Sequence, residues 1–231
     1  SALIFWPKPK LFSPLTNYSQ VLEPKLQAKV GPLLPLDIST AKKLNVKARN
    51  YLVFNLDSGK VYLANQAADK ISPASFTKLL TVQVALDLSS LDQLLTATET
   101  SVDKVPTTLG LKVGEQFKLS DLLRAAIATS ANDAAATIAE GIATQNGLSP
   151  SDFIALMNQK ADLLAMKDSH FANPDGLDDE AQYSTLLDIA KLIQNTVKNY
   201  PEIMAAAASD REDLAESSTH GFYYISNWNG L

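Results

Sequence analysis

The chain has 231 residues, of which 46% are hydrophobic and 19% charged, a balance typical of a globular protein rather than a disordered one. Its net charge of −5 argues against a nucleic-acid partner, which would require a clustered basic face. The absence of cysteine excludes disulfides, a thiol nucleophile and a thiolate metal site. The two histidines, His170 and His220, lack the short spacings of zinc sites, so we expect neither a metal nor another cofactor.

Residues 1–45 are predicted to form an arm that precedes the main domain, which covers residues 46–231. Six of the eleven prolines lie within the first 35 residues, and such a segment favours an extended tether over helix or strand. The run from Leu3 to Trp6, followed by Lys8 and Lys10, has the composition of a membrane interface. Two interpretations fit this arm: a tether to a membrane, and a plain segment that packs against the domain.

The main domain begins with two strand-like runs and continues with helices. Tyr51–Leu56 and Lys60–Ala64 flank Asp57-Ser58-Gly59, which predicts a β-hairpin. Residues 110–114 predict a loop or a small hairpin. Helices are expected over residues 76–88, 120–142, 151–165 and 185–199, and the second is interrupted at residues 130–132. Ser120 is expected to cap the second helix, and a preceding serine to cap each of the last two. The expected class is α/β in the α+β sense, a helical block packed on an antiparallel sheet.

Ser75-Phe76-Thr77-Lys78 stands at the predicted start of the first of these helices. Residues three apart share one helix face, so Lys78 can reach the Ser75 hydroxyl and act as its base if burial lowers the lysine pKa. The same spacing occurs at Ser39–Lys42 and Ser101–Lys104, so the motif alone does not select a nucleophile. The preceding Pro73 and the strand-to-helix context favour Ser75.

Ser130-Ala131-Asn132 falls at the break within a helical pattern. A break there would point a hydroxyl and a carboxamide into a cleft, where the hydroxyl could relay a proton and the amide could hold a peptide bond. The alternative is an Asx-type turn that only connects two helices.

Taken together, these motifs resemble the penicillin-binding serine hydrolases, specifically the low-molecular-mass D-alanyl-D-alanine carboxypeptidases. Four segments carry the resemblance: Pro73–Thr81 as the first motif, Ser130–Ala134 as the second with Ala131 where glycine is common, His170–Leu177 with Tyr183–Thr185, and Asn227–Leu231 as an Asn-x-Asn segment. They follow the order of the family over residues 48–231.

The resemblance implies a β-lactamase/transpeptidase-like fold in which helices pack on a five-stranded antiparallel sheet, with only its first two strands evident in this chain. It implies that Ser75 is the nucleophile, Lys78 the general base, Ser130 a proton shuttle and Asn132 a substrate-binding residue. The reaction would remove the terminal D-alanine of peptidoglycan stem peptides through an acyl-serine, outside the cytoplasm in the cell envelope or secreted, and β-lactams would acylate the same serine. The segment from His170 would shape the floor of the site, without a catalytic role for His170.

The third family motif, Lys-Thr-Gly or a close variant, does not occur in the sequence; Thr219-His220-Gly221 is similar but precedes the Asn-x-Asn segment. We therefore expect a domain truncated before this motif, with the remaining strands in a separate chain such as a complementing C-terminal fragment, in a cleaved piece, or in a removed segment. If these strands are absent altogether, the fold should be incomplete and the activity very low, since losing one oxyanion donor alone costs about 100- to 1,000-fold in turnover. Three alternatives stay open: an endopeptidase, a β-lactamase and a non-catalytic peptidoglycan-binding remnant. Against the β-lactamase, the Glu-x-x-Leu pattern that such enzymes carry after the Ser-x-Asn motif occurs only at Glu23, before the nucleophile.

Overall fold

The computed structural model describes residues 15–227. Its helices are α1 Leu15–Ala28, α2 Thr77–Leu88, α3 Glu99–Val102, α4 Leu119–Ala128, α5 Asn132–Gln145, α6 Pro150–Leu163, α7 Leu186–Asn199 and α8 Pro201–Ala208. Its strands are β1 Tyr51–Phe54, β2 Val61–Asn65, β3 Leu94–Thr96 and β4 Gln116–Lys118. The membrane-interface run at Leu3–Trp6 and residues 228–231 of the Asn-x-Asn segment lie outside the described residues.

The predicted hairpin is confirmed: β1 and β2 pair antiparallel, with Tyr51 opposite Asn65. Gly59 closes the turn at φ +69°, where a Cβ atom would lie only 2.3 Å from the Pro35 carbonyl oxygen. Glycine is required here because both the left-handed backbone and the close approach exclude a side chain. Residues 37 and 42 bridge to residues 60 and 63 in parallel, so the preceding segment covers the second edge of β2.

Helix α2 lies at the centre of the helical block. Leu80, Val82, Val84 and Ala85 are fully buried, and α2 packs against α1, α4, α5, α6 and α7. Ten of its twelve residues are buried, so protein covers this helix on all sides. The start of α2, which carries Lys78 and directly follows the turn that contains Ser75, is therefore fixed by packing from several directions.

The expectation of an extended N-terminal segment is wrong for residues 15–28, which form α1. Leu22 and Leu26, one turn apart, are buried, whereas Pro24 is exposed. The proline therefore removes one hydrogen bond on the solvent side and leaves the packed face intact. The fully buried Lys160 of α6 donates to the Leu26 carbonyl oxygen at 2.6 Å and to Asp87 of α2 at 2.8 Å, which joins α1 to the core. The domain boundary at residue 45 stays a prediction.

Helices α4 to α7 form close to the predicted positions, but only some of the predicted capping residues cap them. Ser149 caps α6 by accepting from the Asp152 amide, whereas Thr185 rather than a serine caps α7. The predicted capping by Ser120 is wrong, because α4 begins one residue earlier and Lys118 occupies its N-cap without a capping side-chain hydrogen bond. The antiparallel pair β3–β4, helix α3 and helix α8 were not predicted. Within residues 15–227, no helix has both the length and the apolar character to cross a membrane.

Candidate active site

Ser75 lies in a short 3-10 turn, residues Ala74–Phe76, that leads directly into α2. One helical turn later, the Lys78 Nζ donates a hydrogen bond to the Ser75 Oγ at 3.1 Å. Ser75 is exposed whereas Lys78 is only 1% exposed, so the hydroxyl faces the cleft and the amine lies behind it. This is the arrangement that the Ser-x-x-Lys spacing predicts.

Burial changes the chemistry of Lys78. Removal from water disfavours the ammonium form and lowers the pKa of Lys78 to about 8, although the nearby Asp175 carboxylate acts in the opposite direction. The same Nζ donates to the Asp175 backbone carbonyl, which fixes the amine beside Ser75. A lysine with this pKa is partly neutral near pH 7 to 8 and can accept the proton of the serine hydroxyl.

Ser130 connects α4 and α5 and has a left-handed backbone, φ +57°. Its Oγ donates to the Ser75 Oγ at 2.7 Å, so the break between the helices brings a second hydroxyl to the nucleophile. Such a strained non-glycine residue is often found at functional sites. Ser75, Lys78 and Ser130 line an open cavity of about 450 Å³ together with Phe76, Leu79 and Ile127.

Asn132 is the first residue of α5 and is buried. Its Nδ2 donates to the Val105 carbonyl oxygen at 2.9 Å, and its backbone N–H donates to the Thr107 carbonyl oxygen at 2.8 Å. The structure therefore brings three of the four predicted residues into direct contact. Asn132 contacts the 105–111 loop and lies two residues from Ser130.

The turn at residues 173–177 packs directly beneath the nucleophile. Gly176 has φ +85°, and a Cβ atom there would lie 2.0 Å from the Ala74 carbonyl oxygen. The Asn173 Oδ1 accepts from the Gly176 amide at 2.8 Å, and its Nδ2 donates to the Leu177 carbonyl oxygen at 2.8 Å. The turn thus forms part of the floor of the site. The exposed His170 contacts the Ala181 carbonyl oxygen through Nδ1 and takes no part in these bonds.

The two other Ser-x-x-Lys sequences have local structural roles. Ser39 donates to Asp37, and Ser101 donates to the Thr98 carbonyl oxygen. Lys104 instead approaches the Asp175 carboxylate at 3.8 Å, next to the Lys78 contact. No sequence pattern points to Asp175 or Lys104 as part of the site, because their contact depends on a fold that joins distant segments. Within the described part of the chain, no group of three or more histidine, aspartate or glutamate side chains is arranged to hold a metal ion.

Comparison with known proteins shows the family to which this chain belongs. Residues 37–229 match the family described as D-alanyl-D-alanine carboxypeptidase. The D-alanyl-D-alanine carboxypeptidase DacF of Bacillus subtilis is 26% identical over 200 residues, which cover 84% of this chain and 50% of DacF. DacA of Escherichia coli, also a D-alanyl-D-alanine carboxypeptidase, is 33% identical over 168 residues, which cover 68% of this chain and 40% of DacA.

The solved structure of a D-alanyl-D-alanine carboxypeptidase from Mycobacterium tuberculosis superposes with a TM-score of 0.72 and 26% identity, over 86% of this chain and 72% of that one. This likeness confirms the predicted penicillin-binding type of fold. The chain spans about half the length of DacF and 40% of DacA. On the family match and the fold together, the chain belongs to the D-alanyl-D-alanine carboxypeptidase family.

Proposed function

We propose that this chain carries the catalytic serine of a D-Ala-D-Ala carboxypeptidase that removes the terminal D-alanine from peptidoglycan stem peptides. The single observation that carries the proposal is the double contact at Ser75 Oγ, which accepts from Lys78 Nζ at 3.1 Å and from Ser130 Oγ at 2.7 Å. A serine hydroxyl needs an adjacent base to become a nucleophile, and the buried Lys78 meets that requirement.

In the proposed reaction, neutral Lys78 takes the proton of Ser75 while Oγ attacks the carbonyl carbon of the penultimate D-alanine. The tetrahedral intermediate collapses by breaking the C–N bond, and Ser130 passes a proton to the leaving amine. Free D-alanine departs and the shortened peptide stays as an ester on Ser75, until water hydrolyses the ester. Asn132 binds the backbone of the substrate, and no cofactor takes part.

The same chemistry explains why β-lactams are proposed as ligands. Ser75 would open the lactam C–N bond and form a stable ester, because the amine stays attached to the acyl group and cannot leave. Because peptidoglycan lies outside the cytoplasm, the proposed substrate implies a location in the cell envelope or a secreted protein. A membrane tether through the N-terminal arm, residues 1–45, and a complementing segment that supplies a Lys-Thr-Gly strand stay predictions.

Release of D-alanine from a stem pentapeptide by the full chain tests the proposal, with Ser75→Ala as the matched control. We expect release with the unchanged chain, about 100- to 1,000-fold slower where no complementing segment supplies the Lys-Thr-Gly strand, and none with Ser75→Ala. No release by a folded chain would contradict the proposal and favour the peptidoglycan-binding remnant. A cross-linked peptide dimer in the same assay tests the endopeptidase alternative, and sustained turnover of penicillin tests the β-lactamase alternative.

A further inference from the structure

Asp133 has a buried carboxylate that the proposed reaction does not use. The residue is 1% exposed and follows Asn132 directly at the start of α5. Its Oδ1 accepts from the backbone N–H of Leu109 at 2.9 Å, and its Oδ2 accepts from those of Gly110 and Leu111 at 2.8 and 3.0 Å. Hydrogen bonds to an ionised carboxylate are stronger than those between neutral groups, so this loop is held firmly.

Most of the hydrogen bonds of the Asp133 carboxylate come from the 105–111 loop and only one comes from α5. Asp133 gives α5 one bond, from the Ala134 amide to Oδ1 at 2.9 Å, whereas three consecutive loop amides bind the same carboxylate. A carboxylate has about four acceptor positions, and four donors occupy them here. The conformation of residues 109–111 therefore depends on this one side chain.

The other end of the 105–111 loop holds Asn132. The Val105 carbonyl oxygen accepts from Asn132 Nδ2 at 2.9 Å, and the Thr107 carbonyl oxygen accepts from the Asn132 backbone N–H at 2.8 Å. A carboxamide that donates to a fixed carbonyl cannot exchange its oxygen and nitrogen without losing that bond. The loop therefore determines which way the Asn132 amide presents its remaining donor and its oxygen.

We infer that Asp133 is a positioning residue: by holding the 105–111 loop, its carboxylate fixes the orientation of the Asn132 carboxamide for substrate binding. The inference rests on the proposed role of Asn132 in binding the substrate backbone. Asp133 itself does not contact Ser75, Lys78 or Ser130 through any of its four bonds. Its loss should therefore affect binding more than the chemical step.

Two variants perturb the loop by different routes. Asp133→Asn keeps the size of the side chain but replaces one oxygen by a donor, so two of the four amides lose their acceptor. Gly110→Ala leaves Asp133 intact and only disfavours the loop backbone, since Gly110 has φ +85° and an added Cβ would meet nothing within 4 Å. Asp152→Asn is the matched control, because Asp152 is likewise an acidic residue in the first turn of a helix, α6.

The first measurement is hydrogen exchange of the Asn132 side-chain amide by NMR in the full chain, assigned by its disappearance in Asn132→Asp. We expect exchange to accelerate about tenfold in Asp133→Asn, the equivalent of one hydrogen bond to a charged group, and about threefold in Gly110→Ala. Asp152→Asn should leave it unchanged. Unchanged exchange in both loop variants, measured well below their melting temperatures, would overturn the inference.

The second measurement is the dependence of acylation on penicillin concentration. In Asp133→Asn the half-saturating concentration should rise about tenfold while the limiting rate constant changes less than about threefold, because the groups at Ser75 are untouched. Faster amide exchange with an unchanged half-saturating concentration would overturn the link to binding. Failure of the unaltered chain to be acylated would count against the proposed function instead, and the exchange comparison would then decide whether Asp133 fixes Asn132.

Discussion

The packing of Gly176 beneath Ser75 makes a strong prediction about Gly176→Ala. An added Cβ would lie 2.0 Å from the Ala74 carbonyl oxygen and 2.5 Å from its carbonyl carbon, where ordinary contact begins at 3.4 Å. One of the two backbones must therefore move by about 1 Å, and a misplacement of that size at a reacting group costs about 100-fold in rate. We also expect the free energy of unfolding to fall by about 2 to 4 kcal/mol from overpacking and the left-handed backbone.

Labelled penicillin measures the acylation rate constant of the full chain, and urea unfolding measures its stability. Gly114→Ala is the matched control, because Gly114 has φ +87° and an added Cβ there would meet nothing within 4 Å. It should lose about 1 to 2 kcal/mol of stability from the backbone alone and keep acylation within about threefold. Equal acylation rate constants in the two variants would refute the claim that the 173–177 turn positions Ser75.

Three further predictions address the base, the buried ion pair and a helix cap. The acylation rate constant should rise about tenfold per pH unit up to pH about 8 and level off above it, because Lys78 must be neutral to accept the serine proton. A rate constant that does not change between pH 6 and 9 would contradict this role. Lys160→Met should destabilise the chain to urea by about 3 to 5 kcal/mol, because it leaves Asp87 buried without its cation, and a loss below about 1 kcal/mol would argue against the pair. Thr185→Ala should lower the free energy of unfolding by about 1 kcal/mol in the same assay, because it removes the cap of α7. Ser120→Ala removes no cap and should lower it by less than about 0.5 kcal/mol. Equal losses in the two variants would show that Thr185 does not stabilise α7.

The sequence predicts the contact between Ser75 and Lys78 because it is local: the two residues are three positions apart, in a 3-10 turn and the helix that continues it. The contact between Ser75 and Ser130 spans 55 positions and depends on how α2 packs against α4 and α5. Spacing alone could not predict that contact, and only the family resemblance linked the two motifs. Likewise, the three loop amides that bind Asp133 come from residues 22 to 24 positions away and have no pattern of their own.

The errors in the fold have equally specific causes. The prolines of the first 35 residues predict an extended tether, but the solvent-facing Pro24 leaves the Leu22 and Leu26 face of α1 intact. Strands β3 and β4 have three residues each and pair across 19 intervening residues, too short and too distant for an alternating pattern to identify them. Serine is a common capping residue, but α4 begins at Leu119, so Ser120 lies inside the helix and cannot cap it.

The intact mass of the full chain, before and after incubation with penicillin, tests the central claim about Ser75 most directly. The Ser75→Ala variant, confirmed as folded by its melting temperature, serves as the control. The account predicts a mass increase of one penicillin per chain in the unchanged protein and none in Ser75→Ala. An unmodified mass in the folded, unchanged protein, or an adduct that persists in Ser75→Ala, would contradict it.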